Sequence, residues 1–276
     1  MPTTDDRSDA ALLEAHKNGD PQALGALLYR HAPSVHRFGL KMCRDPEDAN
    51  DIVQETMLAA ARGAADFRGG SSLTTWLFAI ARSFCIKARR RGRADTTPLD
   101  EEGVMEVASP ASPPDEIASD REIGDALQEA IAALDPMYRE VLVLRDVEGL
   151  TAPEVAEILG IGNDAVKSRL HRARVFVRDR LAPLMIPKQE PRGEACPDVV
   201  PLLSRYLEGE IGPQQCKEMD QHVTSCPRCK NECDSLRKVL ALCKNESTGG
   251  AVPPSVQAAV QRALRQLEAR ATTQNA

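Results

Sequence analysis

Residues Asp146–Arg178, DVEGLTAPEVAEILGIGNDAVKSRLHRARVFVR, constrain this chain more than any other stretch. Thr151 and Glu154 form a capping box, in which each side chain satisfies a backbone N–H at a helix start. Val155, Ile158 and Leu159 then give a short helix its apolar face, and Gly160-Ile161-Gly162 interrupts it as a tight turn. A second helix follows, with Ala165, Val166, Leu170 and Ala173 inward and Lys167, Arg169, His171, Arg172 and Arg174 on the outside. Two short helices, a glycine turn and a basic second helix make a helix-turn-helix. The second helix of that motif enters the major groove of DNA. The alternative is a plain helical hairpin with a solvated basic face. Capping box, turn and basic helix agree in register, which favours the DNA-binding motif.

Composition extends the helical reading to the whole chain. Aromatic residues make up only 3% of the 276, while Ala and Leu abound, which favours helix over sheet. The expected fold class is all-α. The net charge of −6 excludes a globally basic nucleic-acid coat, but the charge is segregated. Arg82–Arg93 holds six basic residues and no acid, whereas Asp95–Asp120 holds eight acids and no Lys or Arg. Such asymmetry points to local nucleic-acid contacts on a soluble body. The N-terminus lacks the basic-then-apolar layout of a secretory signal. No apolar run approaches the roughly 18–20 residues that span a bilayer. A cytoplasmic protein without a membrane partner is expected, and its eight cysteines then read as thiols or metal ligands rather than structural disulfides.

Taken in order, residues 1–8 read as frayed. Ala10–Lys17 and Pro21–Arg44 carry apolar residues at helical spacing: Leu12, Leu13, Leu24, Leu27, Leu28, Val35, Phe38 and Leu40. Asp45-Pro46 starts a further helix, with Asp as cap and Pro in the first helical position. Ile52, Val53, Met57 and Ala60 line its inner side, and Asp48, Asp51, Gln54 and Glu55 make an acidic, polar outer face. Phe67–Ser72, FRGGSS, is a polar loop. The helix after it places Leu73, Trp76, Leu77, Ile80 and Ala81 inward and ends in the basic run. A basic helix beside a glycine-bearing loop with one aromatic suits capture of a single strand by stacking and phosphate contact. Residues 94–119 are an acidic, Pro-containing linker. Asp120–Leu134 and Tyr138–Val147, the latter opened by Pro136-Met137, are helices that complete the helix-turn-helix domain, which closes near Leu184. Pro187–Pro191 is a second linker. The final amphipathic helix, Ser255–Ala271, has Val256, Val260, Leu264 and Leu267 on one side and is expected to dock on its own domain or on the domains before it.

The order of these parts resembles the extracytoplasmic-function (ECF) sigma factors of bacterial RNA polymerase. The pieces that carry the resemblance are DPEDANDIVQETMLAAARG, FRGGSSLTTWLFAIAR and LTAPEVAEILGIGNDAVKSRLHRAR. It implies two helical sigma domains, 9–93 and 120–185, joined by the flexible linker 94–119. By the same resemblance, Asp51, Gln54 and Glu55, with Asp48 beside them, match the helix that binds the polymerase clamp. Phe67 and Arg68 fall in the loop that captures a flipped base of the promoter −10 element. The basic helix carrying Arg82, Arg89, Arg90 and Arg91 matches the segment that melts and holds that strand. Asn163, Asp164, Lys167 and Ser168 sit where base edges of the −35 element are reached. Arg169, Arg172 and Arg174 suit phosphates, which position without specifying. Two departures stand out: Ser83 where many members carry Asn, and Gly162 in place of the usual Ser cap.

Residues 192–245 change character, with Cys196, Cys216, Cys226, Cys229, Cys233 and Cys243. This segment resembles the zinc-binding fold of anti-sigma factors, in which a Cys precedes His-x3-Cys-x2-Cys, and the resemblance implies Cys196, His222, Cys226 and Cys229 as the ligands. One imidazole and three thiolates suit tetrahedral zinc. Soft ligands equally accept cadmium or copper(I). His222 and Cys226 lie about one helical turn apart, so both can face one ion. Fused to a sigma factor, the segment resembles the metal-responsive CorE-like factors, so a separate anti-sigma protein is not required. Cys216, Cys233 and Cys243 are either buried small apolar residues or additional ligands, and Cys43 and Cys85 are core. The expected function is therefore a non-enzymatic sigma factor that brings core RNA polymerase to promoter DNA under metal control in cis. Three alternatives compete. One is a redox-responsive sigma factor with a structural zinc. Another is a thiol-disulfide oxidoreductase using Cys226-Pro227-Arg228-Cys229, which needs neighbouring strands. The third is a DNA-binding repressor without polymerase contact, which leaves the acidic helix and FRGGSS unexplained.

Overall fold

The structure, a computed structural model, describes residues 5–20, 22–43, 45–67, 69–94, 120–186, 196–246 and 252–274. Both expected linkers, 94–119 and Pro187–Pro191, fall almost wholly outside the described residues. Every regular element among the described residues is helical. The chain divides into two compact units, Met1–Leu99 with Glu157–Gly160 and Gly249–Ala276, and Asp100–Ala156 with Ile161–Thr248.

The first unit begins with α1 (Asp9–Lys17) and α2 (Ala23–Met42). Residues 5–8 are not frayed: Ser8 caps α1 by accepting from the Ala11 N–H, and Arg7 pairs with Asp5 and Asp20. α3 (Pro46–Gly63) starts where the sequence places it, with Asp45 accepting from the Glu47 N–H at 2.8 Å. α4 (Leu73–Ala94) follows the FRGGSS loop. α2, α3 and α4 pack together around Phe38, Met42, Met57, Leu77 and Phe78, with Phe38 edge-on to Phe78 at 5.5 Å. α2 and α3 approach closely at Gly39, where a Cβ would stand 3.2 Å from the Ala49 backbone. Leu40, expected inward, is 39% exposed, because it lies two residues from both Phe38 and Met42, on the side of the helix away from the stripe of Val35, Phe38 and Met42. On α4 the buried stripe is Leu77, Phe78, Ala81 and Cys85, leaving Trp76 and Ile80 only half-buried. Trp76 instead packs beside Phe67, ring centroids 5.0 Å apart.

The second unit is built on α8. α5 (Asp120–Ala133) and α6 (Pro136–Leu142) pack against it, and α6 runs into a π-turn at Val143–Val147. The expected single helix to Val147 is thus widened at its end, the kind of distortion that re-aims side chains. α7 (Ala152–Leu159) and α8 (Asn163–Met185) flank the glycine turn, with Gly160 at φ +67°. α9 (Val199–Leu207), α10 (Pro213–Ser225) and α11 (Pro227–Asn245) form a small cluster on α8. Its core is Val199, Val200, Leu203, Met219, Cys229, Cys233 and Leu236, and Val175 of α8 packs against it. Full burial of a Leu such as Leu203 or Leu236 contributes about 1.5–3 kcal/mol, so this core also holds the cluster on α8.

α12 (Pro254–Gln274) belongs to the first unit and docks on α3. Val252, Val256, Val260 and Leu264 are buried, and the Tyr29 hydroxyl of α2 donates to the Gln257 carbonyl at 3.2 Å. The expectation of docking on a preceding domain is met.

Candidate nucleic-acid interface and metal centre

The capping box forms as the spacing requires. The Thr151 N–H donates to Glu154 Oε2 at 2.8 Å and the Glu154 N–H to Thr151 Oγ1 at 3.4 Å. Gly162 caps α8 without a side-chain bond, the loss implied by its replacement of Ser. On α8, Asn163, Asp164, Ser168 and Arg172 are exposed, and Lys167 and Arg169 half-exposed. Arg172 also donates to the Tyr138 hydroxyl at 3.2 Å.

Sequence reasoning placed His171 and Arg174 outside, and here the structure differs. Lys167, His171, Arg174 and Arg178 recur at intervals of four, three and four residues, so they share one stripe of α8. That stripe faces α9–α11. Arg174 is only 4% exposed and donates to Asp146 Oδ1 and Oδ2 at 2.6 and 2.8 Å and to Glu208 Oε1 at 2.9 Å. Arg145, turned by the π-turn, donates to Glu208 Oε2 at 2.8 Å. Burial alone would raise the Glu208 carboxyl's pKa, but Arg174 and Arg145 overcome this and hold it below its ordinary value. Arg178 donates to Ser235 at 2.9 Å. His171 meets Ser204 Oγ through Nδ1 at 2.7 Å and Glu210 Oε2 through Nε2 at 2.5 Å. Lys167 Nζ stands 3.6 Å from Glu210 Oε1. The signal was present in the four-three-four recurrence of cations, set against the acids Glu208 and Glu210 in a later turn.

In the first unit, Asp48, Asp51 and Glu55 are exposed on α3 with Gln54 half-exposed beside them. α12 leaves this acidic face open. Phe67 is held by Trp76, and its carbonyl accepts from Lys17 Nζ at 2.9 Å. Arg68 lies outside the described residues. Arg90 and Arg91 are exposed near the end of α4, with Arg82 and Arg89 half-exposed. The Ser83 hydroxyl, at the position of the departure, donates to the Ile80 carbonyl of its own helix at 2.7 Å.

The four metal-ligand candidates converge: one ligand atom from each of Cys196, His222, Cys226 and Cys229 lies within 4.8 Å of all the others. Cys226 is not on a helix but at the extended joint between α10 and α11, φ −116° and ψ 105°. Pro227 then opens α11, which places Cys229 in its first turn. Cys196 Sγ is 3.9 Å from Cys226 Sγ, and His222 Nε2 is 3.2 Å from Cys229 Sγ. A tetrahedral zinc with Zn–S of about 2.3 Å has S···S edges of about 3.8 Å and N···S edges of about 3.6 Å, so the spacing fits. The donor chemistry fits too. The backbone N–H groups of Cys229 and Arg228 lower the Cys226 thiol's pKa, chiefly that of Cys229, and favour its thiolate. Burial, with the neighbouring thiols Cys226 and Cys196, pushes Cys229 up to about 12. Three thiolates crowded together repel, and a divalent cation offsets that repulsion. The sulfurs of Cys216, Cys233 and Cys243 do not converge with this group; Cys233 and Cys243 are buried, and Cys216 Sγ lies 4.0 Å from the Ile211 carbonyl. Cys85 is core as expected and Cys43 is half-buried. The oxidoreductase alternative needed strands beside Cys226 and Cys229, and the described residues around them are helical.

Comparison with known proteins follows the same division. Residues 27–94 match the family model "Sigma-70 region 2", residues 124–177 "Sigma-70, region 4", and residues 196–230 a zinc-finger family model. The ECF RNA polymerase sigma factor SigM of Mycobacterium tuberculosis is 36% identical over 181 residues, 65% of this chain and 86% of that protein. SigE of Mycolicibacterium smegmatis is 33% identical, covering 65% of this chain and 70% of SigE. RNA polymerase sigma factor CarQ of Myxococcus xanthus is 32% identical over 62% of this chain and 97% of CarQ. Among solved structures, CnrH in complex with the cytosolic domain of CnrY is 24% identical over 63% of this chain and 96% of that one, with a TM-score of 0.46. No described helix is long and apolar enough to cross a membrane. The chain belongs to the ECF RNA polymerase sigma factors, a family of transcription factors and not enzymes, and carries a C-terminal zinc-finger domain.

Proposed function

We propose that this sigma factor directs core RNA polymerase to promoter DNA, and that a metal ion held by Cys196, His222, Cys226 and Cys229 controls its activity in cis. The observation that carries the control is that the domain bearing the ligands shares its core with α8, the helix proposed to read DNA. Asp48, Asp51, Gln54 and Glu55 offer the polymerase an acidic face. Phe67, with Arg68, Arg82, Arg89, Arg90 and Arg91, takes the −10 strand. Asn163, Asp164, Lys167, Ser168, Arg169 and Arg172 take the −35 duplex. When bound, the ion supplies a crosslink between Cys196, ahead of α9, and the α10–α11 joint. Those residues then set how α9 and its following turn lie on α8. Ligand-set softness admits zinc, cadmium or copper(I). A bound metal shifts the equilibrium between two arrangements of α9–α11 only through unequal affinity for them.

The test is transcription reconstituted with core polymerase and a promoter selected from the protein's own genome. It is run metal-free and with zinc, cadmium or copper, on the wild type and on Cys226→Ser and Cys229→Ser. The expected result is a response to one metal that both variants lose, together with loss of the bound metal measured by elemental analysis. Transcription indifferent to every metal refutes the control. No polymerase-dependent transcription under any condition refutes the promoter-directing role.

A further inference from the structure

The turn between α9 and α10 carries two carboxylates whose environments differ. Glu208 is an anchor: its side chain is 2% exposed and fully engaged by Arg145 and Arg174. Glu210 lies at the rim, 22% exposed, and its carboxylate meets the stripe's first two members, Lys167 Nζ at 3.6 Å and His171 Nε2 at 2.5 Å, with Arg205 Nε at 3.9 Å. Gly209 between them has φ +69°, a left-handed conformation that closes α9 through Gly209 N–H to Tyr206 O and Glu210 N–H to Arg205 O. The two acids are therefore fixed in direction by one turn. Asp164, Ser168 and Arg172 border the same open cleft.

From this geometry we infer that Glu210 is a built-in phosphate surrogate, a carboxylate held where a DNA phosphate would otherwise meet Lys167 and His171. The inference rests on the proposal that α8 reads promoter DNA, and it deepens that proposal. A carboxylate and a phosphate oxygen compete for the same ammonium and imidazole N–H donors. An uncompensated carboxylate beside them also repels the duplex. Removing Glu208 would unpair a buried Arg and damage the fold. Removing Glu210 takes away a half-exposed pair, worth little to stability. The division of labour makes the two acids separable by experiment: Glu208 holds the domain on α8, and Glu210 holds DNA off it. It also explains why Lys167 and His171 are engaged while Asn163, Asp164 and Ser168, on neighbouring faces of the same helix, stay exposed.

The experiment uses the full-length chain and compares wild type with Glu210→Gln and Glu210→Ala. A fluorescent duplex of random sequence and one selected from the protein's own genome are titrated over a range of salt, with anisotropy as the readout. One phosphate contact contributes a salt slope of about −0.9, worth about eight-fold in affinity near 0.1 M salt. Both variants are expected to bind both duplexes about three- to eight-fold tighter, with a slope steeper by about one contact, at an unchanged melting temperature. Unchanged affinity and slope in both variants overturn the inference, as does weaker binding. Wild-type discrimination between the two duplexes separates the two failures. A wild type that prefers the selected duplex, with no gain in affinity in either variant, sinks the surrogate alone. A wild type and variants that bind neither duplex sink the reading beneath it.

Discussion

Replacing Arg174 with Met keeps a stem of similar length in the core and deletes the charge. Arg174 makes three short bonds to carboxylates, two to Asp146 and one to Glu208, at 2.6–2.9 Å, and all three side chains are at most 6% exposed. After the change Asp146 loses both bonds to Arg174, while Glu208 keeps its bond from Arg145. Breaking a buried pair costs about 3–5 kcal/mol because a charge is left uncompensated. The surviving Arg145 bond places this case at the lower end, about 3 kcal/mol. In a unit of this size that lowers the melting temperature by roughly 6–12 °C. Circular dichroism against temperature and against urea, on the full chain at pH 7, reads it directly. The pH dependence supplies a second check. Glu208 is held below its ordinary 4.5 in the folded protein. A carboxyl so held contributes stability that is complete above that value and is lost as pH falls through the depressed one. The variant lacks much of this term, so the gap between the two proteins narrows as pH drops below 4.5. A loss under about 1 kcal/mol, the worth of an exposed pair, or a gap that widens in acid would refute the assignment of this network as a buried one.

Two further outcomes follow from the same structure. Gly209→Ala meets no neighbouring atom within 4 Å but must adopt φ +69°, so a loss of about 1–2 kcal/mol is expected by urea denaturation, with Gly209→Asn recovering part of it; full stability in the Ala variant would remove the left-handed turn from the account. Val260→Asp puts a charge at a position 3% exposed in the seam of α12 on α3, so trypsin should cut after the exposed Arg262 and Arg265 at least about ten-fold faster than in wild type, with cleavage at the other sites unchanged in rate; an unchanged rate at Arg262 and Arg265 would mean the helix does not depend on that seam.

What could be read from residue order alone was local chemistry. Asp45-Pro46 and the Thr151–Glu154 box each start a helix through bonds or φ restrictions within a few residues of themselves, and the structure has both helices starting there. His222, Cys226 and Cys229 were legible because ligand type and short spacing let them share one ion, whereas Cys196, far ahead in the chain, came only from the resemblance to anti-sigma zinc folds. Three features needed the tertiary structure. The cations of α8 look alike in sequence, and only the partner surface separates Arg174 and Arg178, buried against acids and Ser235, from exposed Arg172. Cys229 and Cys233, four residues apart, lie in the same core, yet only the Cys229 sulfur converges with Cys196, His222 and Cys226. The apolar stripe of α12 states that the helix must be covered, not by what. That α3 covers it, and that Glu210 reaches Lys167 and His171 from a turn about forty residues away, are decided by burial and charge pairing between segments distant in the chain, which no local pattern encodes.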